Sequence, residues 1–294
     1  MPVKFTFVPQ ARSDGGIPAL QDDAVALGKL AARAGLQGVV LPNFAGFGRR
    51  AAFPEAPERL VLPHAATGSP VAAARRLSDL QQSSRGRLEL DVNPGDTGEG
   101  HIDSWHRIDE YLTLLKRLWS SERPFDYEGP FYSIRGGFVR GGADGPVNIP
   151  LRMRGLSGTA LKVAARHADL IEIAAADLDE ARLLMERVRA VATQHGRSRK
   201  IRFALPIAVS DGQPLPGEAL LVDTSAQSAL LLLAYIEAGI SEFTVRVSTE
   251  RSLMLFGATV ATLVRNSALR RDAVAQPLVP VRQRDWAGGV RRWQ

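Results

Sequence analysis

The turn Gly155-Leu156-Ser157-Gly158-Thr159 separates an apolar, strand-like run from a helix-like run, and Arg152 and Arg154 lie just before it. The first backbone amides of a helix have no partner within it, and the helix dipole gives them partial positive charge. With the Ser157 and Thr159 hydroxyls added, such a turn can hold a phosphate monoester. The same letters also describe a plain helix start, since serine is among the best N-caps and glycine eases the turn. Local chemistry leaves both readings open.

Other chemistry-bearing residues are scattered. His64 ends an apolar run, where its ring could act as a base or meet a planar ligand. Asn93 ends another and could bond a ring heteroatom or simply terminate a strand. Arg12, Arg49 and Arg50 fall in glycine-rich connections and are further candidate anion contacts. His101 and His106 are five residues apart and would not share a helix face, and Asp103 suits a helix cap. No metal site is therefore expected. The chain has no cysteine, which excludes disulfides, thiolate metal sites and cysteine nucleophiles. It also lacks a zinc-protease pair, a nucleotide P-loop and a glycine fingerprint after a strand.

The elements that must position these residues alternate along the chain. Strand-like runs are 3–8, 36–42, 58–64, 87–93, 149–153, 169–174, 200–209 and 241–247. Helical patterns lie between most of them: 21–34, 70–83, a stripe of Trp105, Ile108, Leu112, Leu115 and Trp119, then 157–167, 177–195 with Asp177 and Glu180 as a capping pair, 224–238 and 250–268. A hairpin is expected over 125–134 around Gly129-Pro130. Strict alternation implies right-handed crossovers and a parallel sheet. Eight such units in one chain fit a (β/α)8 TIM barrel, with ligands at the carboxyl ends of the strands. Pro54 and Pro57 make the second helix shortened or missing. The connection from strand 7 to helix 7, Ser210 to Asp223, is short. One barrel domain is expected over residues 1–268, followed by a basic tail over 269–294.

That tail holds six arginines and two aspartates, so it supplies +4 of the formal net charge of +6. A basic excess confined to a tail does not make a nucleic-acid-binding face. No run reaches the roughly 20 apolar residues that span a bilayer, and the N-terminal letters do not read as a signal peptide. A cytoplasmic homo-oligomer, dimer or tetramer, with neither nucleic-acid nor membrane partners is the expectation.

"GLSGTALKVAARHADL" resembles the stretch that contacts the FMN phosphate in the bacterial luciferase-like, flavin-dependent monooxygenases. "ATGSPVAAARRLSDLQQSSRGRLELDVNPGD", "HRIDEYLTLLKRLWSSERPFDYEGPFYSI" and "HADLIEIAAADLDEARLLMERVRAVATQHGRSRKIRF" resemble other segments of that family in the same order. The nearest subgroup is the two-component alkanesulfonate monooxygenases, and the likeness covers roughly residues 3–268. It implies a TIM barrel that uses reduced FMN, delivered by a separate flavin reductase, and O2 to oxidise a small organic molecule. It implies that Ser157, Gly158, Thr159 and Gly155 hold the phosphate with Arg154 as charge partner. Asn93, His64 and Pro9 would lie near the ring. The deazaflavin F420 is the alternative cofactor.

The sequence departs from the subgroup at substrate-side positions. Gln10-Ala11-Arg12 stands where a histidine is expected, Pro206 and Ala208 where an arginine and a histidine are expected, and the lid segment is missing. A non-catalytic paralogue that keeps the barrel as a scaffold or partner subunit is the alternative function.

Overall fold

The structure of the protein, a computed structural model, describes residues 3–9, 24–41, 57–93, 101–140, 147–156, 158–209 and 219–275. Its barrel strands are β1 (Lys4–Pro9), β2 (Gly38–Val40), β3 (Arg59–Ala65), β4 (Leu88–Asn93), β7 (Leu151–Met153), β8 (Leu170–Glu172), β9 (Arg202–Val209) and β11 (Glu242–Val247). All pair in parallel in the order β11-β1-β2-β3-β4-β7-β8-β9, and β9 pairs with β11 to close the ring. The (β/α)8 expectation therefore holds. The hairpin β5 (Phe125–Glu128) and β6 (Ser133–Gly137) stands apart as an antiparallel pair.

The helices are α1 (Ala24–Arg33), α2 (Pro70–Ser83), α3 (His101–Ser120), α4 (Gly158–His167), α5 (Leu178–Thr193), α6 (Ala226–Ala238), α7 (Glu250–Phe256) and α8 (Thr262–Ala275). The residues between β2 and β3 that would carry the shortened helix lie outside the described residues. The periodic stripe of α3 is buried throughout, with Trp105 and Trp119 at 5% exposure and Leu112 and Leu115 at 0%. Asp177 caps α5 by accepting from the Glu180 amide at 2.8 Å, and the Glu180 carboxylate accepts from the Ala176 amide at 2.6 Å. The pair caps the helix as its spacing implies, with the return bond of Glu180 going to the residue before the N-cap rather than to the N-cap itself.

Two features were not expected. The link from β9 to α6 carries a short strand, β10 (Leu220–Val222), which pairs in parallel with Ile207–Val209. It covers the part of β9 beyond the reach of β8. The last helix is also longer than expected. It runs from α7 into α8 through a π-helical turn, Gly257–Ala261, and Glu250–Arg270 is long and apolar enough to cross a bilayer by length and composition. Its buried stripe of Leu253, Phe256, Val260, Ala261 and Val264 belongs to the barrel core.

The π turn brings Gly257 against the end of α1. A Cβ at Gly257 would lie 2.0 Å from the Ala34 carbonyl oxygen, so backbone would have to move. Gly257→Ala is expected to destabilise the protein by about 1–3 kcal/mol through overpacking. Urea denaturation checks this, and an unchanged midpoint would show that α1 and the last helix yield freely.

Candidate functional site

Side chains of a β-strand alternate between two faces, so the parallel register fixes which residues fill the lumen. Glu89 and Asp91 of β4 share it with Arg152 of β7, Glu172 of β8, Glu242 and Thr244 of β11, Thr6 of β1 and Arg59 of β3. These groups form one network. Arg152 is fully buried and donates through Nε to Glu89 at 3.0 Å and through Nη1 to the Thr244 hydroxyl at 3.1 Å, while its Nη2 bonds Glu242. Arg59 donates to Glu89 at 2.8 Å and to Glu242 at 2.5 Å. Thr6 donates to Glu242 at 2.7 Å, and Thr244 to Glu172 at 2.7 Å. Burial alone would raise the Glu242 carboxyl, but Arg152 and Arg59 together hold it well below the ordinary glutamate range.

Above this plug lies the mouth. Arg154, just past β7, donates to Asp91 at 2.9 Å and forms an ion pair with Glu172 at 3.1 Å. Burial pushes the Asp91 carboxyl up, against the pull of Arg154. A cavity of about 500 Å³ opens here, lined by Arg154, Gly155, Leu156, Glu172, Leu184 and Arg246 among others. Neither the plug nor Arg246 was singled out from the sequence. The signal was nonetheless present. Charged or polar residues recur every second residue inside apolar strands in "LELD", "LRMR" and "EFTVR", whereas a strand buried in apolar surroundings on both faces reads as continuously apolar.

The expected phosphate turn borders this cavity. Ser157 lies outside the described residues. Gly155 has φ +95° and packs against α3, where an added Cβ would meet the Trp105 ring at 3.3 Å. Gly158 opens α4 with φ +50°, and an added Cβ there would meet nothing within 4 Å. Thr159 follows it in the first turn, which carries no acid. Open space over a helix start, hydroxyl and amide donors and no competing carboxylate in that turn fit an anionic group. Arg154 fits less simply, because it already serves two carboxylates.

Register separates the remaining candidates. Asn93 lies on the lumen face of β4 and is exposed at the mouth. Pro9 ends β1 on the face that Phe5 and Phe7 present to the helices, and Val8 is the last lumen-facing residue of that strand. His64 likewise points outwards, with Leu60 and Leu62, to α3, where Nε2 and the Tyr111 hydroxyl share a hydrogen bond of 2.9 Å. It is a helix-layer residue at 5% exposure and does not face the lumen as expected for ring contact. Burial, with a smaller push from Arg76, lowers its pKa to about 4.

A histidine kept neutral in the fold costs stability in acid. The unfolded chain binds the proton below pH 6.5 and the fold does not until about 4. Stability from this group should therefore fall as pH drops from 6.5, by about 3 kcal/mol at pH 4. Ring-proton NMR should show His64 not titrating above pH 5, and an ordinary midpoint near 6.5 would overturn this.

His167 is also buried, and burial lowers its pKa although Asp109 pairs with Nε2 at 2.8 Å. It is no simple cation on the helix dipole. No metal-binding group occurs among the described residues, and the His101 side chain lies outside them. Arg12, Arg49 and Arg50 also lie outside.

The dimethyl-sulfide monooxygenase of Hyphomicrobium sulfonivorans is 26% identical over 178 residues, which are 48% of this chain and 37% of that protein. This chain thus spans well under half of the length of that relative. Among solved structures, an F420-dependent secondary alcohol dehydrogenase superposes with a TM-score of 0.72 at 16% identity, covering 90% of this chain and 99% of that one. A riboflavin lyase solved with modified FMN superposes with a TM-score of 0.70 at 14% identity, covering 91% and 92%. Both are likenesses of fold. The family model for luciferase-like monooxygenases matches residues 61–213, from the core of β3 through the turn before α4 and β9, and the chain belongs to the luciferase-like monooxygenase family.

Proposed function

We propose that this chain is an oxidoreductase of the monooxygenase kind that binds reduced FMN at the barrel mouth and acts on a small organic molecule. The observation that carries the reading is the start of α4. It follows directly on the turn whose Gly155 and Leu156 line the cavity at the carboxyl ends of the strands, with open space at Gly158 and no acid in its first turn. Reduced FMN held there would supply the electrons with which O2 oxidises the substrate. The chain's own residues would orient and shield. Gly158 and Thr159 would hold the phosphate with Ser157. Asn93 would face the ring. Leu156, Leu184 and Pro206 would give the cavity an apolar wall. The buried ionic plug below would help to exclude water from that side.

Anaerobic titration of the purified protein with oxidised FMN, reduced FMN and F420 tests this. Micromolar or tighter binding that favours reduced FMN supports it. Binding of F420 alone would move the chain to the deazaflavin side of its structural relatives. Binding of neither would leave Ser157 as a helix cap.

A second reading rests on a specific observation. Pro206 and Ala208 share the lumen face of β9 with Ala204, so that strand offers no polar side chain at the mouth. His64 faces the helices. A barrel retained as a scaffold or partner subunit fits that face. Product formed from reduced FMN, O2 and a panel of sulfonates, aldehydes and sulfides faster than with free flavin would eliminate it.

A further inference from the structure

We propose that Arg246 is the anchor for a carboxylate on the substrate, so that the barrel takes a small organic acid by its charged end. This rests on the mouth being the active site. Arg246 is on the lumen face of β11, in register with Val8 of β1 and Ala208 of β9. One and two steps earlier on the same face are Thr244 and Glu242, both tied into the plug. Arg59, Arg152 and Arg154 each hold two carboxylates or more. Arg246 is half-buried in the wall of the mouth cavity, yet its guanidinium forms no hydrogen bond or ion pair with any described residue.

The surroundings explain why the guanidinium is left open. Its register neighbours, Val8 and Ala208, are apolar, and Pro206 and Leu184 line the same cavity. The acids nearest the mouth are engaged elsewhere: Asp91 and Glu172 with Arg154, and Glu180 with the Ala176 amide at 2.6 Å. A guanidinium in a partly desolvated, apolar-walled pocket gains most from an anion that presents two coplanar oxygens to its fork. A carboxylate has that geometry, and the apolar wall suits a short hydrocarbon chain behind it. The same cavity is lined, on the β7 side, by Gly155 and Leu156, the approach to the phosphate turn. Acid and cofactor phosphate are thereby assigned to different cationic groups.

The probes are pentanoate and 1-pentanol, with calorimetry on the flavin-free protein and absorbance perturbation on the FMN complex. Pentanoate should bind and pentanol should bind more weakly. Arg246→Ala should weaken pentanoate about tenfold or more and leave pentanol and the FMN Kd unchanged. Arg246→Lys, which keeps the charge but not the fork, should recover only part of the affinity. Thermal unfolding of each variant confirms that the barrel is intact.

Three results would overturn the proposal: pentanoate binding no better than pentanol to the wild type; a pentanoate affinity unmoved by Arg246→Ala; and a loss of FMN but not riboflavin affinity in Arg246→Ala, which would assign the guanidinium to the cofactor phosphate. Because acid binding is read without flavin, a protein that takes pentanoate through Arg246 but no FMN would sink the cofactor reading and leave the anion site standing.

Discussion

Arg152→Leu is expected to cost about 3–5 kcal/mol, the usual penalty for removing one partner of a buried ion pair. A typical domain has about 5–15 kcal/mol in total, so the variant would be marginal or unfolded at room temperature. The reason is the position of Arg152, fully buried and bonded to Glu89, Thr244 and Glu242, with the Glu172 carboxylate 3.6 Å away. Leucine supplies volume but no counter-charge, and Arg59 alone cannot neutralise what remains. Acidity gives the effect a signature. In the wild type the Glu242 carboxyl sits below its ordinary value of 4.5, so its stabilisation is present above that value and is lost as pH falls towards the folded pKa. In the variant burial dominates, the carboxyl rises above its ordinary value, and taking up a proton relieves the fold. The stability gap between wild type and variant should therefore narrow from pH 7.5 to pH 5. Comparing the two proteins at each pH cancels the His64 contribution. Denaturation in urea at both values reads the gap, and a difference under about 1 kcal/mol at pH 7.5 would show that the lumen admits water or rearranges.

The same network shows where sequence reasoning reached and where it stopped. Helix periodicity is a local signal, so the α3 stripe and the Asp177–Glu180 cap could be read directly. The alternation of units likewise pointed to the barrel. The plug is different in kind. Arg152 and Glu242 are 90 residues apart, and their meeting depends on barrel closure and on the register of the three strand pairs β7–β8, β8–β9 and β9–β11. The charged alternation of β4, β7 and β11 marked those residues as facing something polar, but did not say which strands faced each other. His64 was misplaced by a one-residue parity. Leu60 and Leu62 share its face, so treating the apolar run as the outward side of β3 would have sent His64 to the helices and Pro63 to the lumen. The β10 strand and the π turn have no sequence signature of the kind used. Each arises from local fit, β10 on the uncovered part of β9 and Gly257 against Ala34.

Arg154→Met is expected to weaken flavin binding about 100-fold, although Arg154 has little charge to spare for a phosphate. Its Nη2 and Nε are committed to Asp91 and Glu172. The side chain is 48% exposed, so its contribution to folding is modest. Removing it leaves two carboxylates uncompensated at the cavity that α4 opens onto. A phosphate arriving there would meet their repulsion, and a 100-fold loss is on the scale of one charge-assisted contact, about 1.5–3 kcal/mol. The decisive comparison is a rescue. In Arg154→Met combined with Asp91→Asn and Glu172→Gln, the arginine is still missing but the repulsion is gone. If Arg154 acts mainly by neutralising these acids, the triple variant should recover most of the affinity for reduced FMN. If it contacts the phosphate directly, the triple variant should bind as poorly as the single one. Riboflavin, which has no phosphate, should bind all three proteins alike. A riboflavin affinity that falls in parallel with FMN would place the damage in the ring pocket, and a single variant that binds FMN as well as the wild type would remove the phosphate from this end of the barrel.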